Sequence, residues 1–207
     1  METAVPKWLE WAREIQAIAQ IGLTYTKNEF DTQRYKRLIE IAAEMVASQT
    51  DVPLEPMLKS FEVQEGYATP KVDVRAAAIR DGKILLVQER VDQRWSMPGG
   101  WADVGELPSA VAAREAWEES GFTVKVNKLA AVYDANHIEP LQFFHAYKLI
   151  FMCAVLEGEP RSSNETLAVD FFRLDRLPPL SQLRTNERML AEVFAHAADP
   201  LRPTFFE

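Results

Sequence analysis

Residues 99–122 read GGWADVGELPSAVAAREAWEESGF. The Ala-rich run 107–120, with Pro108 near its start and Gly121 just past its end, predicts a helix. On that helix Glu115, Glu118 and Glu119 stand at relative positions 0, +3 and +4, so all three project within an arc of ~100°. Carboxylates at those spacings repel one another. Arg114, next in sequence to Glu115, points about 100° away and offsets them only in part. Taken alone, such a charge run reads as a solvated face. A cation that offsets the repulsion is the sharper reading. Hard oxygen ligands select Mg²⁺, Mn²⁺ or Ca²⁺, and no His or Cys cluster suggests zinc.

Working outward, VDVRAAAI (72–79) and KILLVQE (83–89) flank Asp81-Gly82 and predict a β-hairpin. A loop with Trp95 and Pro98-Gly99-Gly100 follows. FTVKVNKLAAVYD, LQFFHAYKLIFMCAVLEG and TLAVDFFRL are strand-rich, and TNERMLAEVFAHAA (185–198) predicts a closing helix. Strands, one helix, strands again and a last helix give an α+β layer structure over residues 66–207.

Upstream the period is helical. Trp8, Trp11, Ala12, Ile15, Ile18 and Ala19 form one stripe after Pro6. Tyr35, Leu38, Ile39, Ala42, Met45 and Val46 form a second, with Asp31 as a candidate N-cap. Residues 1–65 therefore read as a helical hairpin with a short third turn. A unit this small rarely folds alone, so it must pack on the rest of the chain or on a second copy. A DNA-reading helix pair is disfavoured, because residues 1–60 carry seven basic against nine acidic side chains.

The 207 residues hold 47% hydrophobic and 26% charged side chains, which excludes disordered and collagen-like chains. One cysteine, Cys153, cannot form an intramolecular disulfide, and it falls in the apolar run IFMCAV as a core residue. A cytoplasmic protein without a signal peptide or membrane span is expected. Net charge is −8, from 23 Lys+Arg and 31 Asp+Glu. That disfavours nucleic acid as a partner. An acidic chain can still hold an anionic substrate through a metal bridge.

The fixed letters run Gly100, Glu106, Arg114-Glu115, Glu118-Glu119 and Gly121, ending on Phe122. They resemble the Nudix box with every fixed position present. Seven such letters match by chance on the order of 10⁻⁸ per start position. The resemblance covers roughly residues 68–182 and implies a Nudix-type α/β/α sandwich with a mixed sheet. It implies hydrolysis of a nucleoside diphosphate linked to another group X. It implies metal ligation by Glu115, Glu118, Glu119 and the Gly99 carbonyl, with Glu115 also placed to position or activate water. It implies a buttressing pair between Glu106 and Arg114. Gly99-Gly100 permit a close backbone approach, and the loop is expected ahead of the helix N-terminus, where free N–H groups suit phosphate. The helical N-terminal region and LPPLSQLRTNE are similar to a bacterial subfamily that includes CDP-choline and ADP-ribose pyrophosphatases. That likeness implies a homodimer joined through the N-terminal helices.

Glu165, in SSNET, is the candidate for a further carboxylate acting as base or ligand. Arg75, on an apolar strand, either binds diphosphate or pairs with a structural carboxylate. Arg90 and Arg94 are candidate phosphate contacts, and Gly100 a candidate for close substrate approach. Trp95 is expected under the Gly-Gly loop. Tyr133, His137 and Phe144 either stack on a base or face the core, and His137 is expected to be non-catalytic. Two other readings stay open: an enzyme that processes RNA ends or 3′ termini, and a module that senses a nucleotide without cleaving it.

Overall fold

The computed structural model describes residues 6–62, 66–135 and 145–207, and of Ser60 and Glu62 only the backbone. His137 and Phe144 lie outside the described residues. The chain divides into two compact units, Met1–Pro70 and Lys71–Glu207. Among the described residues no helix is long and apolar enough to cross a membrane.

The first unit has three helices, α1 (Lys7–Tyr25), α2 (Glu29–Ala47) and α3 (Leu54–Glu62). The cap of α2 is Asn28, whose side chain accepts from Phe30 N–H at 2.8 Å. Asp31, the expected cap, sits in the first turn and pairs with Arg34 at 2.7 Å. At Gly22 the two long helices come so close that a Cβ would stand 2.4 Å from the Tyr35 ring. The apolar stripe of α1 splits. Ala12 and Ala19 are buried, with Leu9 from outside the stripe beside them, whereas Trp11 and Ile18 remain 51% and 54% exposed.

The second unit is a mixed sheet between two helices, the layered α+β sandwich expected above. Its strands are β1 (Lys71–Arg80), β2 (Lys83–Glu89), β3 (Trp95–Ser96), β4 (Gly99–Trp101), β5 (Phe122–Asp134), β6 (Ala146–Gly158), β7 (Thr166–Phe172) and β8 (Phe205–Phe206). The helices are α4 (Pro108–Ser120) and α5 (Glu187–Ala198). The main path runs β3-β2-β1-β6-β5-β8, with β4 on β1 and β7 on β2. Asp81 and Gly82 both take positive φ, 53° and 69°, in the two-residue turn joining β1 to β2.

Alternation along β1 separates two cores. Val74, Ala76 and Ala78 pack with Val111, Ala112 and Ala116 of α4. Ala77, on the other face, packs with Met189, Leu190 and Val193 of α5. Cys153 is buried in the α4 core, and burial pushes its thiol up to about 12. Trp95 meets Phe172 edge to face at 4.7 Å in the α5 core, so it packs there rather than beneath the glycines. Tyr133 is buried against Phe205 and faces that same core.

One edge of β1 is shared. β2 pairs only with Ile79 and Arg80 at the far end, while β4 pairs with Asp73, Val74 and Arg75 at the near end. This split lets the Gly99-Gly100 segment enter the sheet beside Arg75.

Candidate active site

Gly99 pairs with Arg75 at φ +153°, and a Cβ there would stand 2.0 Å from the Val74 carbonyl oxygen. No residue but glycine fits. Its N–H donates to Glu119 Oε2 at 2.9 Å, joining β4 to the last turn of α4. Gly100 follows, where a Cβ would meet Glu115 Oε1 at 2.9 Å. The two glycines thus lie against the C-terminal half of α4. The sequence reading placed this loop ahead of the helix N-terminus. The pairing of β4 with β1 sets it at the other end instead. Gly121 ends α4 in the left-handed conformation, φ +80°.

Arg114 lies at the centre of the acidic face. Its Nε and Nη2 donate to the two Glu106 oxygens at 3.0 and 2.9 Å. Its Nη1 donates to Glu115 Oε1 and Glu118 Oε2, each at 3.0 Å. One guanidinium therefore serves three carboxylates, more than its neighbouring position in sequence suggested, because the long side chain curls back over its own helix. Burial raises Glu115 above the usual carboxylate range, against the pull of Arg114.

Glu119 is different. It is 6% exposed, and burial pushes its carboxyl up to about 8, against the pull of the Gly99 N–H and the Arg75 charge. Burial is the larger cause, and the nearby charges of Glu89 and Glu115 add to it. The donor chemistry fits a hard divalent ion: three carboxylates on one helix face, and a cation already standing between Glu115 and Glu118 in the form of Arg114. In this arrangement Glu115 and Glu118 are turned onto Arg114, and among the described residues no three His, Cys, Asp or Glu side chains converge as a metal cage.

The other sequence candidates have these positions. Arg75 is 4% exposed; its Nε and Nη2 donate to Asp73 at 2.8 and 3.2 Å, and its Nη1 to the Met97 carbonyl at 3.2 Å. Of its two sequence readings the geometry matches pairing with a carboxylate. Arg90 donates from Nε to the Asn164 carbonyl at 2.9 Å and from its backbone N–H to Glu165 O at 2.9 Å, clamping that loop. Arg94 is exposed, with its N–H on Asp92. Glu165 is exposed on the clamped loop. The next residue, Thr166, donates its hydroxyl to the Glu119 carbonyl at 2.9 Å, pinning this loop to the end of α4.

Sequence reasoning passed over four charged residues nearby. Glu89, at the end of β2, accepts from Ser96 Oγ at 2.5 Å and lies 3.4 Å from Arg184 Nε. Asp73 is shared between Arg75 and Lys148, both buried. Burial lowers Lys148 to about 8, although Asp73 opposes the shift. Asp73 is held below its ordinary range by its two cationic neighbours despite burial. The polar positions in VDVR and AYKLIF were the available signal: charged residues alternating with apolar ones, which sets the charges on one face of the strand.

Comparison with known proteins identifies the family. Residues 6–61 match the model of a UDP-X-like, N-terminal oligomerisation domain, and residues 69–193 match the NUDIX domain. YjhB of Bacillus subtilis (strain 168), whose name assigns it provisionally to the ADP-ribose pyrophosphatases, is 39% identical over 97% of both chains. The crystal structure of a UDP-X diphosphatase is 32% identical with a TM-score of 0.63, covering 99% of this chain and 100% of its own. That of an ADP-ribose pyrophosphatase from Streptococcus suis 89-1591 is 37% identical with a TM-score of 0.63, covering 67% of this chain and 100% of its own. The box geometry, the domain match over residues 69–193 and a relative 39% identical along nearly the whole chain lead to one conclusion: the chain belongs to the Nudix hydrolase family.

Proposed function

We propose that this enzyme cleaves the diphosphate of a nucleoside diphosphate linked to X, releasing a nucleoside monophosphate and phospho-X. The observation that carries this reading is the buried Glu119 held by Gly99 N–H beside Glu115 and Glu118. ADP-ribose is supported by the names of the Bacillus subtilis and Streptococcus suis relatives. A UDP-linked X is supported by the N-terminal family model and by the UDP-X diphosphatase structure. CDP-choline stands on the likeness of the N-terminal helices to the CDP-choline subfamily.

Glu115, Glu118 and Glu119, with the Gly99 carbonyl, are the residues that would hold Mg²⁺ or Mn²⁺. When bound, such an ion neutralises diphosphate oxygens and lowers the pKa of a water. The chain's own contributions are distinct. Arg114 keeps Glu106, Glu115 and Glu118 in one place through four hydrogen bonds. Gly99 N–H fixes the Glu119 carboxylate. Gly100 leaves room for substrate beside Glu115. Glu165 enters from the clamped loop as the additional base or ligand. Water attacks one phosphorus, the bridging P–O bond breaks, and Glu115 is placed to take the water's proton.

The N-terminal helices join two chains in a homodimer, a reading supported by the oligomerisation-domain match and by exposed Trp11, Ile18 and Tyr25 at seven-residue spacing. The cytoplasm is the proposed compartment, supported by the single buried thiol.

A hydrolysis panel of ADP-ribose, UDP-sugars and CDP-choline with Mg²⁺ or Mn²⁺ tests the reading. Release of nucleoside monophosphate from at least one is expected. No turnover of any member, or turnover unaffected by EDTA, would count against it.

A further inference from the structure

β4 has two sides. One meets the carboxylates of α4. On the other a cleft of about 130 Å³ is lined by Asp73, Arg75, Gly100, Trp101, Leu183 and Arg184. Asp73 and Arg75 alternate with Val74 and Ala76, which face α4, so the floor of the cleft lies on the opposite face of the sheet. Complete small-molecule sites run to roughly 300–1,000 Å³. This cleft admits one phosphate-sized or ring-sized group and not a whole nucleoside diphosphate.

The side chains around it select between those. The floor holds one carboxylate, Asp73, between two buried cations, Arg75 and Lys148. With the rim residue Arg184 and its neighbours Glu89 and Asp92 included, three cations face three carboxylates. Arg184 stands at the rim, its side chain 28% exposed. Its Nε lies 3.4 Å from Glu89 Oε1, and its Nη1 lies 3.3 Å from Ser181 Oγ and 3.9 Å from Asp92 Oδ2. Among the described residues no hydrogen bond leaves Nη2. The guanidinium is therefore oriented by three neighbours and keeps an edge for a ligand. A fork held in this way suits a phosphate oxygen.

We propose that this cleft is a direct anion subsite, in which Arg184 binds an oxygen of the diphosphate on the side of β4 away from the α4 carboxylates. The substrate then straddles the Gly99-Gly100 strip. One phosphate faces the acidic helix and the other meets the Arg184 guanidinium. The assignment rests on the hydrolase reading above.

Inorganic pyrophosphate is the probe, titrated calorimetrically in EDTA so that neither metal nor turnover enters. The wild-type protein is expected to bind it. Arg184→Ala should weaken binding roughly tenfold to a hundredfold, the loss of a charge-assisted hydrogen bond. Arg184→Lys should lie between, since a point charge lacks the fork. Arg184→Gln, which can still reach Ser181, should resemble Arg184→Ala and serves if the alanine variant melts early. Asp92→Asn removes a neighbour but not the guanidinium, and should stay within about threefold of wild type, as for an exposed ion pair. In hydrolysis, KM should rise with Arg184→Ala by more than kcat falls. Wild-type protein that ignores pyrophosphate, an Arg184→Ala that binds it normally, or an Asp92→Asn as impaired as Arg184→Ala would each overturn the subsite. None of these results bears on whether a nucleoside diphosphate is cleaved, which the substrate panel decides separately.

Discussion

Gly99 N–H and Glu119 Oε2 meet at 2.9 Å, and through this bond the strand β4 and the helix α4 become one site. Without it the box would be a helix face and a loop lying side by side. With it, the most buried of the three helix carboxylates is aimed at the backbone of the Gly-Gly strip. Burial and its acidic neighbours raise that carboxylate, and this is the electrostatic condition under which a bound cation is most favourable.

Glu119→Gln should cut kcat by about 10²–10³, the cost of removing a preorganised electrostatic group. It should not destabilise the fold, because the amide oxygen can still accept from Gly99 and a neutral group of the same size takes the place of a carboxyl raised to about 8. Steady-state kinetics and a thermal melt check both parts. Activity near wild type would remove Glu119 from the site, and a large fall in Tm would make its role structural.

Gly99→Ala should cost at least ~2–3 kcal/mol, since the added Cβ collides with the Val74 carbonyl and the backbone conformation is strained for any other residue. Urea unfolding measures this. An unchanged midpoint would mean that β4 can separate from β1 at little cost.

Trp11→Asp combined with Ile18→Asp should convert the proposed dimer to a monomer of 23.5 kDa, because both side chains are half exposed on α1. Light scattering behind a sizing column reads the mass directly. A mass that stays at twice the chain would place the interface elsewhere.

Glu192 accepts from Arg202 at 2.7 and 3.0 Å. The Arg202 hydrogen bonds hold its carboxyl below the usual range. Its contribution to stability is therefore full above the unfolded carboxylate pKa and is lost as pH falls through the depressed folded value. Arg202→Ala should show a lower urea midpoint at pH 7, with the gap to wild type closing as pH drops below 4. A gap that persists at pH 3 would assign the effect to packing of the arginine stem.

The sequence alone carried the layers and the acidic face. The hairpin at Asp81-Gly82, the helix from Pro108 to Gly121 and the 0, +3, +4 glutamates are local patterns, set by turn chemistry and helical period. The partnership of Glu106 with Arg114 entered through family resemblance, eight positions apart across a loop whose path no period predicts. Tertiary structure decided the remainder. Asp31 lost the cap of α2 to Asn28, whose side chain reaches the Phe30 N–H. The split edge of β1 set Gly99 against the end of α4 rather than its start. Asp73, Arg75, Lys148, Glu89 and Arg184 are dispersed over more than a hundred positions of sequence and meet around β4 only because β1 lies parallel to β6 and the loop after β7 returns there. Spacing along the chain shows which carboxylates share a helix face. Which cations stand across from them depends on strand pairing between distant segments.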